Sequence, residues 1–250
     1  MQPALRILAL DTATRCCSVA VLIGERLAAE MTAVSDRTHS VHLMAMIRET
    51  LKMADVALQA IDGFAVSLGP GSFTGLRIGI STVQGLAFAG GKPCVGVSSL
   101  EALALQCLPW PHSICALMDA RKCEVYAGYY RERDSRLERL APERVLPLTE
   151  ALGAIHTPHL FIGEGAGLYR ERIRSTLGDL AHFVPQDRNL PRAGMVARLA
   201  QPQLSAGRTV DPGRLVPRYL RQSDAELRIG CPTKDGAPSR GQPPAAMAES

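Results

Sequence analysis

Apolar runs separated by short polar turns divide the chain into elements before any motif is considered. Ile7-Leu8-Ala9-Leu10-Asp11 is an unbroken apolar run ending in an acid, the pattern of a buried strand. The polar turn Thr12-Ala13-Thr14-Arg15 leads to a second strand over Cys17–Ile23, Gly24-Glu25-Arg26 turns the chain, and Leu27–Ala33 predicts a third. From about His39 to Ala54 the period becomes helical: Leu43, Ile47, Leu51 and Ala54 share one face, which Met44 and Met46 widen. Thr38 or Ser40 stands where a cap is wanted. Ile61–Leu68 reads as a strand and Leu76–Ala89 as a helix, with small residues Gly79, Ser81 and Gly85 among Ile80, Val83 and Leu86. Pro93–Val97 adds a short strand. Three strands, helix, strand, helix, strand predicts an α/β layer on a mixed sheet.

The theme then repeats. After Leu108-Pro109-Trp110-Pro111, Ile114–Asp119 is again a strand ending in an acid, Ala120-Arg121-Lys122-Cys123 a turn, and Glu124–Tyr130 the return strand. A strand, an Asp-containing turn and a strand occurring twice points to a duplication. Leu160-Phe161-Ile162 reads as a strand ahead of a glycine turn through Gly167, and Tyr169–Leu177 and Ala193–Gln201 as helices. The expected division is an N-terminal unit over 1–106, a smaller second unit over 107–222, and a tail over 223–250. That tail is rich in Pro, Gly, Ser and Ala from Gly230 and is expected to be disordered.

Composition narrows the function classes. With 46% hydrophobic and 21% charged residues in 250, the chain is that of an ordinary globular protein. The net charge of +4 is spread along the sequence, and an aromatic content of 4% leaves little to stack on bases, so autonomous RNA binding is not expected. No apolar run reaches the roughly 18–20 residues of a membrane span. The start, Met1 to Arg6, lacks a signal-peptide layout. Seven cysteines, scattered except for Cys16-Cys17 and without CxxC or Cys/His zinc spacing, read as buried thiols of a cytoplasmic protein.

The segment with most chemical content is Gly69-Pro70-Gly71-Ser72-Phe73-Thr74-Gly75-Leu76-Arg77-Ile78-Gly79. A glycine-rich loop feeding a helix leaves backbone N–H groups where an anion fits. It is not a P-loop, because Leu76 follows Gly75 where a lysine is required, and Ser72 is not in a GxSxG elbow. Three readings stay open: a tight strand-to-helix crossover, a phosphate site using Gly69, Gly71, Ser72 and Gly75, or a protein contact. Asp11 with Thr12 and Thr14 fits either a metal–phosphate corner or a capped turn, with Asp119 as its counterpart in the second half. His39 and His42 stand three apart at a helix start without a carboxylate companion, the pattern of a solvated helix end more than of a metal site. His156, His159 and His182 have no companions, and no nucleophile, base and orienting acid assemble. The methionine-rich stripe over 39–54 either faces its own core or, with helix 76–89, offers a two-helix face to a partner.

Ile7 to Thr14, the Gly69–Gly79 loop, Gln84-Gly85-Leu86-Ala87, Asp119-Ala120-Arg121 with Glu124-Val125-Tyr126, and Pro217-Arg218-Tyr219-Leu220-Arg221 together closely resemble the TsaB family. The resemblance runs in one order from about residue 5 to 222. It implies a duplicated actin/sugar-kinase/Hsp70-like α/β fold with a smaller, degenerate second domain. The paralogous TsaD enzymes carry a metal-binding His-x-x-x-His segment; here the corresponding stretch is Val97 to Leu103, with Ser99 and Leu103 at the two histidine positions. A hydroxyl and an isobutyl group do not replace imidazoles as metal ligands. The resemblance therefore implies a non-catalytic scaffold that pairs with TsaD through a helix pair, is joined by the ATPase TsaE, forms a homodimer when alone, and meets tRNA only through the complex. The product of that complex is threonylcarbamoyladenosine beside the anticodon. Carried onto this chain, the expected interface anchors are Leu43, Met44, Ile47, Leu51, Ile80 and Val83. Asp11, Thr12, Gly69, Gly71, Ser72 and Gly75 are the expected remnants of phosphate loops, with no cofactor required and weak ATP or ADP binding allowed. The alternative class is an enzyme, a glycoprotease-like peptidase or a small ATP-dependent kinase. The missing histidines oppose the first and the incomplete phosphate loops the second.

Overall fold

A computed structural model describes residues 4–35 and 38–220. The first sheet is built from β1 (Arg6–Asp11), β2 (Cys16–Ile23), β3 (Arg26–Val34), β4 (Gly63–Gly69) and β5 (Cys94–Ser98), in the order β3-β2-β1-β4-β5. β1, β2 and β3 form the expected antiparallel meander, while β4 and β5 add in parallel. Parallel addition needs crossovers, supplied by α1 (Leu43–Met53) and α2 (Phe73–Gly90). α1 starts four residues later than the period predicts, after a single 3-10 turn at His39–Val41, and no side chain caps either. Instead the Thr38 and Ser40 hydroxyls bond each other at 3.2 Å.

β1 is apolar throughout because both its faces are covered. Leu8 and Leu10 pack towards α1 and α2, whereas Ile7 and Ala9 pack towards α7 (Ala193–Ser205). The α7 side is a small-residue contact: Ala9, Ala20 and Ala65 meet Ala193, Val196, Ala197 and Ala200.

The second sheet repeats the plan. β6 (Ser113–Asp119), β7 (Glu124–Arg133), β8 (Arg136–Arg139), β9 (Arg144–Pro147), β10 (His159–Ile162) and β11 (Ala181–Phe183) have the path β11-β10-β6-β7-β8, with β9 paired to β7. Read from the other end, that path is the order of the first sheet, with an antiparallel β6-β7-β8 meander and parallel β10 and β11. The duplication read from two strand–Asp–strand units is therefore present in the whole topology, and the fold is the expected duplicated actin-like α/β type. One face of this sheet is covered by α4 (Leu148–Gly153), α5 (Glu164–Leu168) and α6 (Arg170–Leu177). The other packs against α3 (Ser99–Leu105), which lies between the two sheets and joins them in one continuous core through Leu100, Leu103, Ile114, Met118, Tyr130 and Ile162.

The division at 106/107 needs correction at its far end. Helix α7, assigned by sequence to the second unit, packs on β1, β2, β4 and β5 of the first. The segment after it also returns to the first lobe: the Val210 N–H donates to the Cys94 carbonyl at 2.9 Å and the Arg218 N–H to Leu68 at 2.7 Å. Local pattern identifies α7 as an apolar helix but carries no information about which sheet it covers. The expected tail over 223–250 lies outside the described residues. Among the described residues no helix is long and apolar enough to cross a membrane.

Candidate functional site

Five of the six residues read as phosphate-loop remnants meet at one corner, where the β1–β2 turn touches the start of α2, while Gly69 ends β4 against Arg218. Asp11 ends β1 wholly buried. Its Oδ1 accepts the Ala13 N–H at 3.0 Å, and the Ser67 hydroxyl donates a short hydrogen bond to Oδ2. Burial holds the carboxyl above the ordinary carboxylate value, against the lowering pull of Ser67, the Ala13 N–H and His39. Thr12, also buried, donates its hydroxyl to the Gly75 carbonyl at 2.8 Å. Across the junction the Ser72 N–H donates to the Ala13 carbonyl at 2.7 Å, and the Ser72 hydroxyl accepts from the Gly75 N–H at 3.2 Å as the helix cap.

The glycines serve this contact. A Cβ on Gly71 would meet the Ala13 carbonyl, one on Gly75 the Thr12 carbonyl, and one on Gly79 the Thr12 hydroxyl. Gly69 has φ +115°, a conformation for glycine, and the Arg218 carbonyl lies where its Cβ would be. Of the three readings, the geometry is that of the tight crossover: backbone is pressed on backbone where a phosphate cradle would stand open. His39 closes the same corner. It is buried, and its Nε2 lies 2.7 Å from the Thr14 carbonyl, which can only accept, so that nitrogen carries the proton. The solvated helix end read at His39 is thus corrected. In the second lobe Asp119 repeats the turn, accepting the Arg121 N–H at 3.1 Å, and also accepts the Tyr169 hydroxyl at 3.1 Å. Asp11 and Asp119 are matching capped turns. Among the described residues no group of three or more His, Cys, Asp or Glu side chains is placed to hold a metal ion.

The buried-thiol reading holds for Cys16, Cys17, Cys94 and Cys115 but not for Cys123, which is exposed in the β6–β7 turn. Burial pushes the Cys16 thiol up to about 12 and Cys17 to about 11, with Asp11 adding to both.

The expected interface anchors divide differently. Leu43, Ile47, Leu51, Ile80 and Val83 are all buried in the chain's own core, so they are corrected from partner contacts to packing residues. Their spacing is that of the inward face; a helical period identifies a stripe but not the layer it faces. Met44 alone of the six is exposed, at 56%. Other exposed side chains were passed over by the periodic reading: Val41 before α1, and Phe73, Arg77 and Phe88 on α2, Phe88 at 62% exposure. Arg77 lies 3.8 Å over the Phe73 ring, Tyr219 stacks on that ring at 5.2 Å, and the Arg77 Nε donates to the Tyr219 hydroxyl at 3.2 Å. Ser99 and Leu103, where the resemblance to the paralogue would put its metal histidines, face the core from α3, each about 1% exposed.

The comparisons with known proteins agree with this architecture. The family model of TsaD, tRNA N6-adenosine threonylcarbamoyltransferase, matches residues 29–229. The tRNA threonylcarbamoyladenosine biosynthesis protein TsaB of Bacillus subtilis is 32% identical over 225 residues, spanning 89% of this chain and 96% of that protein. Its Escherichia coli namesake is 32% identical over 235 residues, spanning 90% and 98%. Among solved structures, YeaZ from Pseudomonas aeruginosa superposes with a TM-score of 0.75 at 35% identity, covering 86% of this chain and 100% of its own. With the shared fold and similarity over most of this chain and nearly all of these relatives, the chain belongs to the TsaD-type family and, within it, to TsaB.

Proposed function

We propose that this chain is the non-catalytic accessory subunit of tRNA threonylcarbamoyladenosine synthesis, pairing with a TsaD-type transferase through the outer face of α1 and α2. The observation that carries the reading is the combination of exposed apolar side chains before and on α1 and along α2 (Val41, Met44, Phe73, Phe88) with α3, where Ser99 and Leu103 offer no metal ligand and are closed in the core. A face of this kind on a paralogue of the partner also serves a homodimer when the partner is absent. TsaE joins the assembled pair, and tRNA is met through the complex. The chain needs no cofactor of its own. Weak ATP or ADP binding is compatible with this reading, while the polar groups of the Asp11–Gly75 corner bond each other.

The test is co-purification with the TsaD-type partner, combined with reconstituted tRNA modification. Met44→Asp and Phe88→Asp place charge on an exposed face and are expected to leave folding intact while abolishing both the complex and modification. Folded variants that still bind and activate the partner overturn the assignment of the face. Turnover by the chain without the partner overturns the accessory role.

A further inference from the structure

Glu143, in the loop that leads into β9, is a carboxylate with no exposed surface at the junction of the two lobes. Its ligands come from separate elements. Ser98, which also caps α3, donates its hydroxyl to Oε1 at 2.5 Å, and Tyr130 on β7 donates at 2.7 Å. Arg139 lies 3.4 Å from Oε1 and bonds Glu101 at 2.8 Å, while Arg218 approaches Oε2 at 3.1 Å. Ser98 belongs to the first sheet, Tyr130 and Arg139 to the second, and Arg218 to the segment that follows α7.

That segment lies along α2 like a strap. Val210 bridges to Cys94, and Gln84 donates to the Pro212 and Leu215 carbonyls at 2.9 and 3.1 Å. Leu215 is buried, the Arg218 N–H is bonded to Leu68, and Tyr219 stacks on Phe73. The strap's backbone is thus tied to the first lobe over its length, while Arg218 reaches a carboxylate of the second. A buried carboxylate depends on pairing for its charged form: Oε1 takes both hydroxyl hydrogen bonds, whereas Oε2 accepts none and has the Arg218 charge as its ion-pair partner.

We propose that residues 207–220 form a latch that fixes the second lobe against the first, with Arg218 as the bolt and Glu143 as its keeper. This positioning role is independent of the partner reading above. A strap that merely covers α2 predicts that losing the Arg218 charge loosens the strap alone. A latch predicts loosening on both sides of the junction.

Hydrogen exchange on the full chain, read peptide by peptide by mass spectrometry, separates the two. In Arg218→Met, amides over Glu101–Ala104 on α3 and Gly128–Tyr130 on β7 are expected to exchange at least about tenfold faster, because stripping a buried charge of a partner is strongly destabilising locally. Faster exchange confined to 207–220, with α3 and β7 unchanged, overturns the latch. Should Arg218→Met not fold, Arg218→Gln is read in the same way, removing the charge while keeping a polar side chain. An increase of roughly threefold or more at α3 and β7 supports the latch, and wild-type exchange there overturns it.

Discussion

Asp11 illustrates how a residue with the appearance of a catalytic acid is used structurally. It closes β1, accepts the N–H two residues on and receives the Ser67 hydroxyl, all without contact with solvent. Because burial raises its carboxyl above 3.8, the native state holds the proton to higher pH than the unfolded chain does. Its contribution to stability is therefore full below the ordinary carboxylate range and is lost as pH rises through the native value. Asp11→Asn cannot ionise, so the variant is expected to gain on wild type from about pH 4 upward, by at most about 1.4 kcal/mol per pH unit. Chemical denaturation of both proteins across that range checks it. A wild type that gains on Asp11→Asn as pH rises overturns this account of the corner.

At the scale of elements, α2 carries glycines with opposite roles. Gly75 and Gly79 let the helix approach the Thr12 corner, and a methyl group at either position meets Thr12 itself. Gly85 is exposed and nothing lies within 4 Å of where its Cβ would be. Gly75→Ala is expected to cost about 1–3 kcal/mol through overpacking against backbone. Gly85→Ala is expected to stabilise by roughly 0.5–1 kcal/mol, since alanine suits a helix interior better than glycine. Thermal or denaturant unfolding of the two variants gives the comparison, and equal effects would mean that α2 does not rest on the corner as described. This distinction is not legible in the sequence, where both glycines sit in one small-residue helix. The crossover itself is legible, because a glycine–proline loop between a strand and an apolar helix has few other uses.

For the whole molecule, the duplication and the exposed outer side of α1 and α2 are properties of the arrangement of layers. The two sheets share one path, with α3 between them and α7 returning to the first sheet. Covering the first sheet on both sides fixes which face of α1 and α2 remains for another molecule. Val83 is wholly buried beneath that face, so Val83→Asp is expected to cost at least about 3 kcal/mol, or to prevent folding, as a charge without a partner in an apolar core. Met44→Asp on the opposite side of the layer is expected to stay within about 0.5 kcal/mol of wild type. Urea unfolding of the isolated variants measures this. A stable, native-like Val83→Asp would mean that the inner face is not the core.

The strand–Asp–strand repeat, the crossover at Gly69–Gly79, the helical period over α1 and, through its motifs, the family are written in the order of residues alone. Each of these is local, written in side-chain periodicity or in glycine and proline conformational limits. Which face of α1 and α2 is buried, where α7 packs, and the filling of the Asp11 corner by its own backbone are settled by the folded arrangement. Those outcomes depend on contacts between segments far apart in the chain. A period of 3.6 marks a stripe without naming its neighbour, and a buried acid resembles a catalytic one until its hydrogen-bond partners are seen.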